Sequence, residues 1–181
     1  FGGVNAFPLC LNTQDAGTIV ETVKLLEPSF SGINLEDISA PRCFEIEERL
    51  KKETQMVIFH DDQHGTAVVT TAGLINAMKI TGKDFKDIKV VVNGVGAAGV
   101  SIIKLFIKLG VKDIIACDSK GAIYKGRAEG MNESKNEIAE ITNHEGLKGR
   151  LEEVIGGRDV FIGVSVAGQL TKEMIAKMDK N

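Results

Sequence analysis

No apolar stretch in this chain of 181 residues approaches the ~20 needed to cross a bilayer, so nothing in it reads as a membrane span. Nor is there an excess of positive charge: a formal net charge of −3 argues against nucleic acid or an anionic membrane surface as partner. Cysteine is scarce and odd in number, with Cys10, Cys43 and Cys117 sharing no metal-type spacing. Each sits among apolar neighbours, which predicts buried free thiols rather than bridges and hence the reducing cytoplasm. Internal repeats and low-complexity tracts are absent. The opening Phe1-Gly2-Gly3 carries neither an initiator Met nor the basic start of a signal peptide. What remains, 43% hydrophobic and 26% charged, is ordinary for a globular protein with one good core, or one domain and part of another.

What is present is a recurring pattern of apolar runs that end on acids or glycines. Val4 to Leu11 reads as a strand, with Asn12 and Asp15 available to cap the helix that Ile19, Val20, Val23 and Leu26 describe and Pro28 stops. Phe30 to Leu35 is a short strand that delivers Glu36-Asp37. Pro41 suits the first turn of a helix with an apolar face of Cys43, Ile46 and Leu50 and with Glu47–Lys51 and Glu48–Lys52 pairs on its wet face. Met56 to Phe59 is a third strand, delivering Asp61-Asp62. Both acidic pairs thus leave the carboxyl ends of strands, the edge where open α/β sheets bind ligands.

Further on, a helix from Ala67 to Ile80, with Val69, Leu74, Ile75 and Met78 apolar, breaks at Gly82. The β-branched run Val90-Val91-Val92 has the pattern of a central parallel strand. It leads through Gly94-Val95-Gly96-Ala97-Ala98-Gly99 into a helix reaching Leu109, with Gly110 as its left-handed cap. Asp113 to Asp118 and Asp159 to Val164 are further strands, Lys135 to Ile141 and Leu147 to Ile155 are helical pieces, and Thr171 to Met178 is a closing helix. The expected fold class is α/β: a Rossmann-type doubly wound parallel sheet over residues 63–181, and a partial β-α-β substrate domain over residues 1–62.

The glycine turn is the most mechanistic motif. Gly94 permits the tight turn, Gly96 lets backbone approach a pyrophosphate, and Gly99 lets the helix pack on the strand, while the helix N-terminus offers N–H groups and positive dipole. Asp118 ends the next strand about 20 residues on, placed to bind a ribose 2′-OH and repel a 2′-phosphate. That favours NAD, although Lys120 nearby leaves NADP open. Glu36, Asp37 and one of Asp61 or Asp62 offer hard oxygen ligands suited to Mg²⁺ or Mn²⁺. On spacing alone the same acids read equally as caps for the helices at Pro41 and Thr66. His60 and His64 flank the second pair and read as structural histidines rather than zinc ligands. His144 and the Lys104/Lys108 edge read as surface, and Tyr124 as packing or the adenosine side of a cofactor.

Five stretches together resemble the malic enzymes, in particular the short bacterial and archaeal form: Asn34-Leu35-Glu36-Asp37-Ile38-Ser39-Ala40-Pro41-Arg42-Cys43-Phe44, His60-Asp61-Asp62-Gln63-His64-Gly65-Thr66-Ala67, the glycine turn, Gly121-Ala122-Ile123-Tyr124, and Asp159 to Ser165. The resemblance implies metal ligation by Glu36, Asp37 and Asp62, with Asp62 central to metal-assisted catalysis and Asp61 a neighbour that shapes the site. It places Ser165 beside the nicotinamide. It further implies oxidative decarboxylation of L-malate to pyruvate and CO₂ with reduction of NAD(P)⁺, by a homodimer or larger homo-oligomer. The family's Tyr and Lys, its acid and base, belong to a segment that would precede Phe1, and an Asn-rich segment would follow Asn181. The chain is therefore expected to be the middle of a catalytic subunit, without turnover of its own. A malolactic enzyme or a metal-dependent oxaloacetate decarboxylase on the same scaffold, and a non-catalytic NAD-binding module, are the competing expectations.

Overall fold

A computed structural model describes residues 2–180. The first helix, α1 (Ala16–Leu26), starts where Asp15 Oδ1 accepts from Thr18 N–H at 2.7 Å. Strand β1 (Gly32–Leu35), helix α2 (Arg42–Glu53) and strand β2 (Val57–His60) follow, and β1 pairs with β2 in parallel, Leu35 opposite His60. Ile19, Val20 and Val23 of α1 close over Ile46 and Leu50 of α2 and over Leu35 and Ile58, a small core of its own.

The expected strand from Val4 to Leu11 does not form. Strand character requires a partner edge, and none pairs with these residues, which leave Val4 and Phe7 80% and 67% exposed. Cys10 is exposed with them, against the expectation of three buried thiols. Burial does account for the other two, pushing Cys43 up to about 11 and Cys117 up to about 12.

A single π-helical turn (Asp61–Gly65) leads from β2 into α3 (Thr66–Thr81), which ends on left-handed Gly82. The second sheet contains β3 (Lys89–Asn93), β4 (Asp113–Asp118), the two-residue β5 (Gly121–Ala122) and β6 (Val160–Gly163), in the order β5-β4-β3-β6. All neighbours are parallel except β5, which turns back antiparallel on β4 and was not expected from sequence. Helices α4 (Ala97–Lys108), α5 (Glu133–Ile141), α6 (Leu151–Val154) and α7 (Lys172–Lys177) complete the chain. Strand β3 is central and its alternation divides the core. Val90 and Val92 pack with Ile103 and Phe106 of α4 on one face, and Val91 packs with Ile115, Leu151 and Val154 on the other. Helices therefore cover both faces of a parallel-dominated sheet, the doubly wound α/β arrangement. In α3 the buried stripe is Ala67, Thr71, Leu74 and Met78, and Val69 faces outward. Among the described residues no helix is long and apolar enough to cross a membrane.

Candidate active site

Parallel pairing decides where the acids go. Because Leu35 lies opposite His60, the residues that follow each strand leave the same edge side by side. One ligand atom from each of Glu36, Asp61 and Asp62 lies within 4.8 Å of the others. Asp37 contributes differently: its backbone sits at φ 54°, and its N–H donates to Asp62 Oδ2 at 3.0 Å. Asn34 Nδ2 fixes Glu36 Oε1 at 2.7 Å. A β-carbon at Gly65 would lie 2.1 Å from Asp61 Oδ1, so this glycine is what lets the π turn fold back on Asp61. The residues that open α2 and α3, Pro41 and Gly65, make no side-chain capping bond, while Asp61 and Asp62 sit in the first turn of the π segment that runs into α3. Among the described residues Glu36 and Asp61 have no cationic partner within 4 Å, and Asp62 has only the His60 ring at 3.4 Å. Three hard oxygen donors with unbalanced negative charge fit a divalent cation of the Mg²⁺ or Mn²⁺ type.

Beneath the acids lies a polar group that the sequence reading missed. Glu47, expected on the wet face of α2, is buried; its Oε2 accepts from Gln63 Nε2 at 3.0 Å, and its Oε1 lies 2.5 Å from both His64 Nε2 and Lys51 Nζ. Its spacing from Cys43 and Leu50, four and three residues away, already put it in the apolar stripe. Burial pushes its carboxyl up, but Lys51 and His64 outweigh that and hold it below the ordinary range. His60 is wholly buried, with Nδ1 2.8 Å from Gln63 Nε2.

The glycine turn follows β3 as anticipated. Gly94 sits at φ 116°, where a β-carbon would strike Val164 O at 2.7 Å, and a β-carbon on Gly99 would lie 1.8 Å from Gly94 O. A β-carbon added at Gly96 would meet nothing within 4 Å, and the N-terminus of α4 carries no side-chain capping bond. That is an open cradle lined by unpaired first-turn N–H groups, which fits a pyrophosphate. Val95 is buried beneath the turn, and Ala97 and Ala98 open α4. Ser165 Oγ accepts from Asn93 Nδ2 at 3.1 Å across the ends of β3 and β6. The π turn that carries Asp61 and Asp62 packs against α4, the helix that the glycine turn opens.

Asp118 is less available than its position suggests. Its carboxylate accepts from Arg127 at 2.9 and 2.5 Å, from Lys135 Nζ at 2.7 Å and from Lys120 N–H at 2.9 Å. Burial pushes it up, but these donors win and hold it well below the usual carboxylate range. Sequence periodicity gave no sign of Arg127 or Lys135, which reach Asp118 from a loop and a helix further along the chain. A carboxyl depressed in the folded state contributes stability above its unfolded value near 4 and loses it as pH falls through its folded value. We expect Asp118→Asn to flatten the acid limb of unfolding below about pH 4 and, with Arg127 left buried and unpaired, to cost about 3–5 kcal/mol at neutral pH. Thermal denaturation across pH checks both; an unchanged acid limb would refute the assignment.

Tyr124 has Lys148 Nζ 5.1 Å above its ring, Lys104 pairs with Glu137 in solvent, and His144 is exposed. A cavity of about 520 Å³ bounded by Lys83, Lys89, Asp159 and Asp179 lies at the opposite, amino edge of the sheet, away from all of these groups.

A family model described as the malic enzyme NAD binding domain matches residues 63–181, and one described as the malic enzyme N-terminal domain matches residues 10–51. The chain is 65% identical over 181 residues to the bifunctional malic/malolactic enzyme of Bacillus subtilis, covering 100% of this chain and 44% of that protein. It is 54% identical to the NAD-dependent malic enzyme of Geobacillus stearothermophilus, covering 100% of this chain and 38% of the relative. Its fold superposes on the crystal structure of the NAD-dependent malic enzyme of Thermotoga maritima with a TM-score of 0.96 at 50% identity, over 99% of this chain and 48% of that one. The chain thus spans less than half the length of these relatives.

Proposed function

The chain belongs to the malic enzyme family, and on that premise we propose that the full-length protein oxidises and decarboxylates L-malate to pyruvate and CO₂, reducing NAD(P)⁺ with a divalent metal. The observation that carries this reading is the three-carboxylate group whose π turn packs against the helix that the open glycine cradle begins. The ligands proposed for Mg²⁺ or Mn²⁺ are Glu36, Asp37 and Asp62, of which Glu36 and Asp62 already converge with the neighbouring Asp61, whereas Asp37 reaches the group through its N–H to Asp62; when bound, such an ion supplies Lewis acidity for the C2 oxygen and a carboxylate of malate. The chain's own residues do the rest by placement. Asn34 orients Glu36 and the Asp37 N–H orients Asp62, and the free N–H groups at the start of α4 would hold the pyrophosphate. Ser165, bonded to Asn93 at the ends of β6 and β3, would line the nicotinamide side of the site, and the dinucleotide, when bound, supplies the hydride acceptor. We read residues 1–62 as the remaining part of the substrate domain.

The test is NAD(P)H and pyruvate formation from L-malate with Mn²⁺ by the full-length protein. Conversion of malate to lactate without net NADH would move the reading to the malolactic branch, which the 65% identical relative named malic/malolactic makes the specific alternative.

NAD⁺ is the proposed cofactor, with NADP⁺ accepted. Asp118 is matched by two cations, so the ribose rim carries one positive charge in excess and does not simply repel a 2′-phosphate. Lys135→Gln should therefore weaken NADP⁺ about tenfold or more, the loss of one charge-assisted contact, while changing NAD⁺ far less. Calorimetric titration of both nucleotides decides it; an equal loss for both would overturn the assignment.

A further inference from the structure

A buried chain of polar contacts stands behind Asp62, and its hydrogen positions follow from elementary bonding. A carboxylate can only accept, so the Gln63 atom 3.0 Å from Glu47 Oε2 has to be the amide nitrogen. Turned over, the amide oxygen would face a carboxylate oxygen. The same nitrogen lies 2.8 Å from His60 Nδ1 and has a second hydrogen to give, so Nδ1 accepts. The ring proton then sits on Nε2. That nitrogen is buried without a hydrogen-bond partner and lies 3.4 Å from Asp62 Oδ2, the oxygen that also accepts the Asp37 N–H.

We propose that Gln63, oriented by Glu47, is a positioning residue that sets the His60 tautomer so that its Nε2–H faces Asp62 and fixes that carboxylate for a divalent cation. The proposal rests on the reading of Asp62 as a metal ligand. With the opposite tautomer, a ring lone pair would face the carboxylate and drive it off its present line. The arrangement is costly as mere packing. Glu47, Gln63 and His60 are 6%, 4% and 0% exposed, and apolar side chains of similar size would fill such a space with no desolvation penalty. Groups that orient a metal's ligands typically alter affinity about 10–100-fold when removed.

The test uses the full-length protein with ¹⁵N-labelled histidine, free of metal, and reads the protonation of each ring nitrogen by long-range NMR, the His60 signals being assigned with His60→Gln. The parent should show Nε2 protonated and Nδ1 bare. Gln63→Leu should shift His60 toward the Nδ1-protonated form and raise the Kd for Mn²⁺, followed by electron paramagnetic resonance, about 10–100-fold, with nucleotide affinity unchanged. Glu47→Leu should act likewise. Glu47→Gln, whose amide oxygen can take the same bond, should recover Mn²⁺ affinity toward the parent. If Gln63→Leu does not fold, the parent tautomer and the two Glu47 variants decide. A parent His60 protonated on Nδ1, or Mn²⁺ affinity indifferent to Gln63 and Glu47, overturns the positioning role. Asp62→Ala separates the two ideas. If it abolishes Mn²⁺ binding while Gln63→Leu does not weaken it, only the positioning role fails; if Asp62→Ala leaves Mn²⁺ bound as in the parent, the ligand reading itself falls.

Discussion

Asp62→Ala in the full-length protein is expected to lower Mn²⁺-dependent malate oxidation about a thousandfold or more, with the fold intact. A metal that stabilises developing charge on the reacting oxygen contributes several kcal/mol, and about 4 kcal/mol is a factor of a thousand in rate. Asp62 lies where three carboxylate oxygens converge, so its loss removes charge and a fixed donor together. Its side chain is 42% exposed and holds only the Asp37 N–H and the His60 edge, which is why the fold should survive. NAD⁺ affinity should also survive, because the glycine cradle is built from β3 and α4 without Asp62. Activity at the parent level in Asp62→Ala would sink the ligand assignment. Loss of activity with loss of nucleotide binding would instead indicate a collapsed cleft.

The parts of this site that were legible in sequence are those governed by local period. Val90-Val91-Val92 reads as a strand buried on both faces because no polar residue interrupts it, and it is the centre of the sheet. The acids at the ends of β1 and β2 and the glycines after β3 follow from the same alternation of strand and helix. What stayed hidden depends on partners. Val4 to Leu11 has the composition of a strand but no edge to pair with. Glu47 reads as one half of an exposed i,i+4 pair until Gln63 and His64 arrive from the π turn and bury it. Asp118 reads as a free acceptor until Arg127 and Lys135 fold back onto it. No hydrophobic period encodes which cation meets which carboxylate, because that choice is made by loop closure.

The two glycines that flank the start of α4 should separate folding from binding. Gly99→Ala places a β-carbon 1.8 Å from Gly94 O, a backbone atom held by the turn itself, so the helix must move off the strand. Overpacking of this kind costs about 1–3 kcal/mol and occasionally more, and unfolding should shift to visibly lower temperature with nucleotide binding lost alongside it. Gly96→Ala meets nothing within 4 Å, so thermal stability should stay close to that of the parent. Its new methyl group would instead occupy the cradle and deny the pyrophosphate one or two backbone N–H bonds. At about 1.5–3 kcal/mol for each bond to a charged group, dinucleotide Kd should rise tenfold to over a hundredfold. Melting curves and nucleotide titrations of the two variants test the distinction directly. A Gly96→Ala protein that melts like the parent and still binds NAD⁺ with parental affinity would mean that the pyrophosphate lies elsewhere.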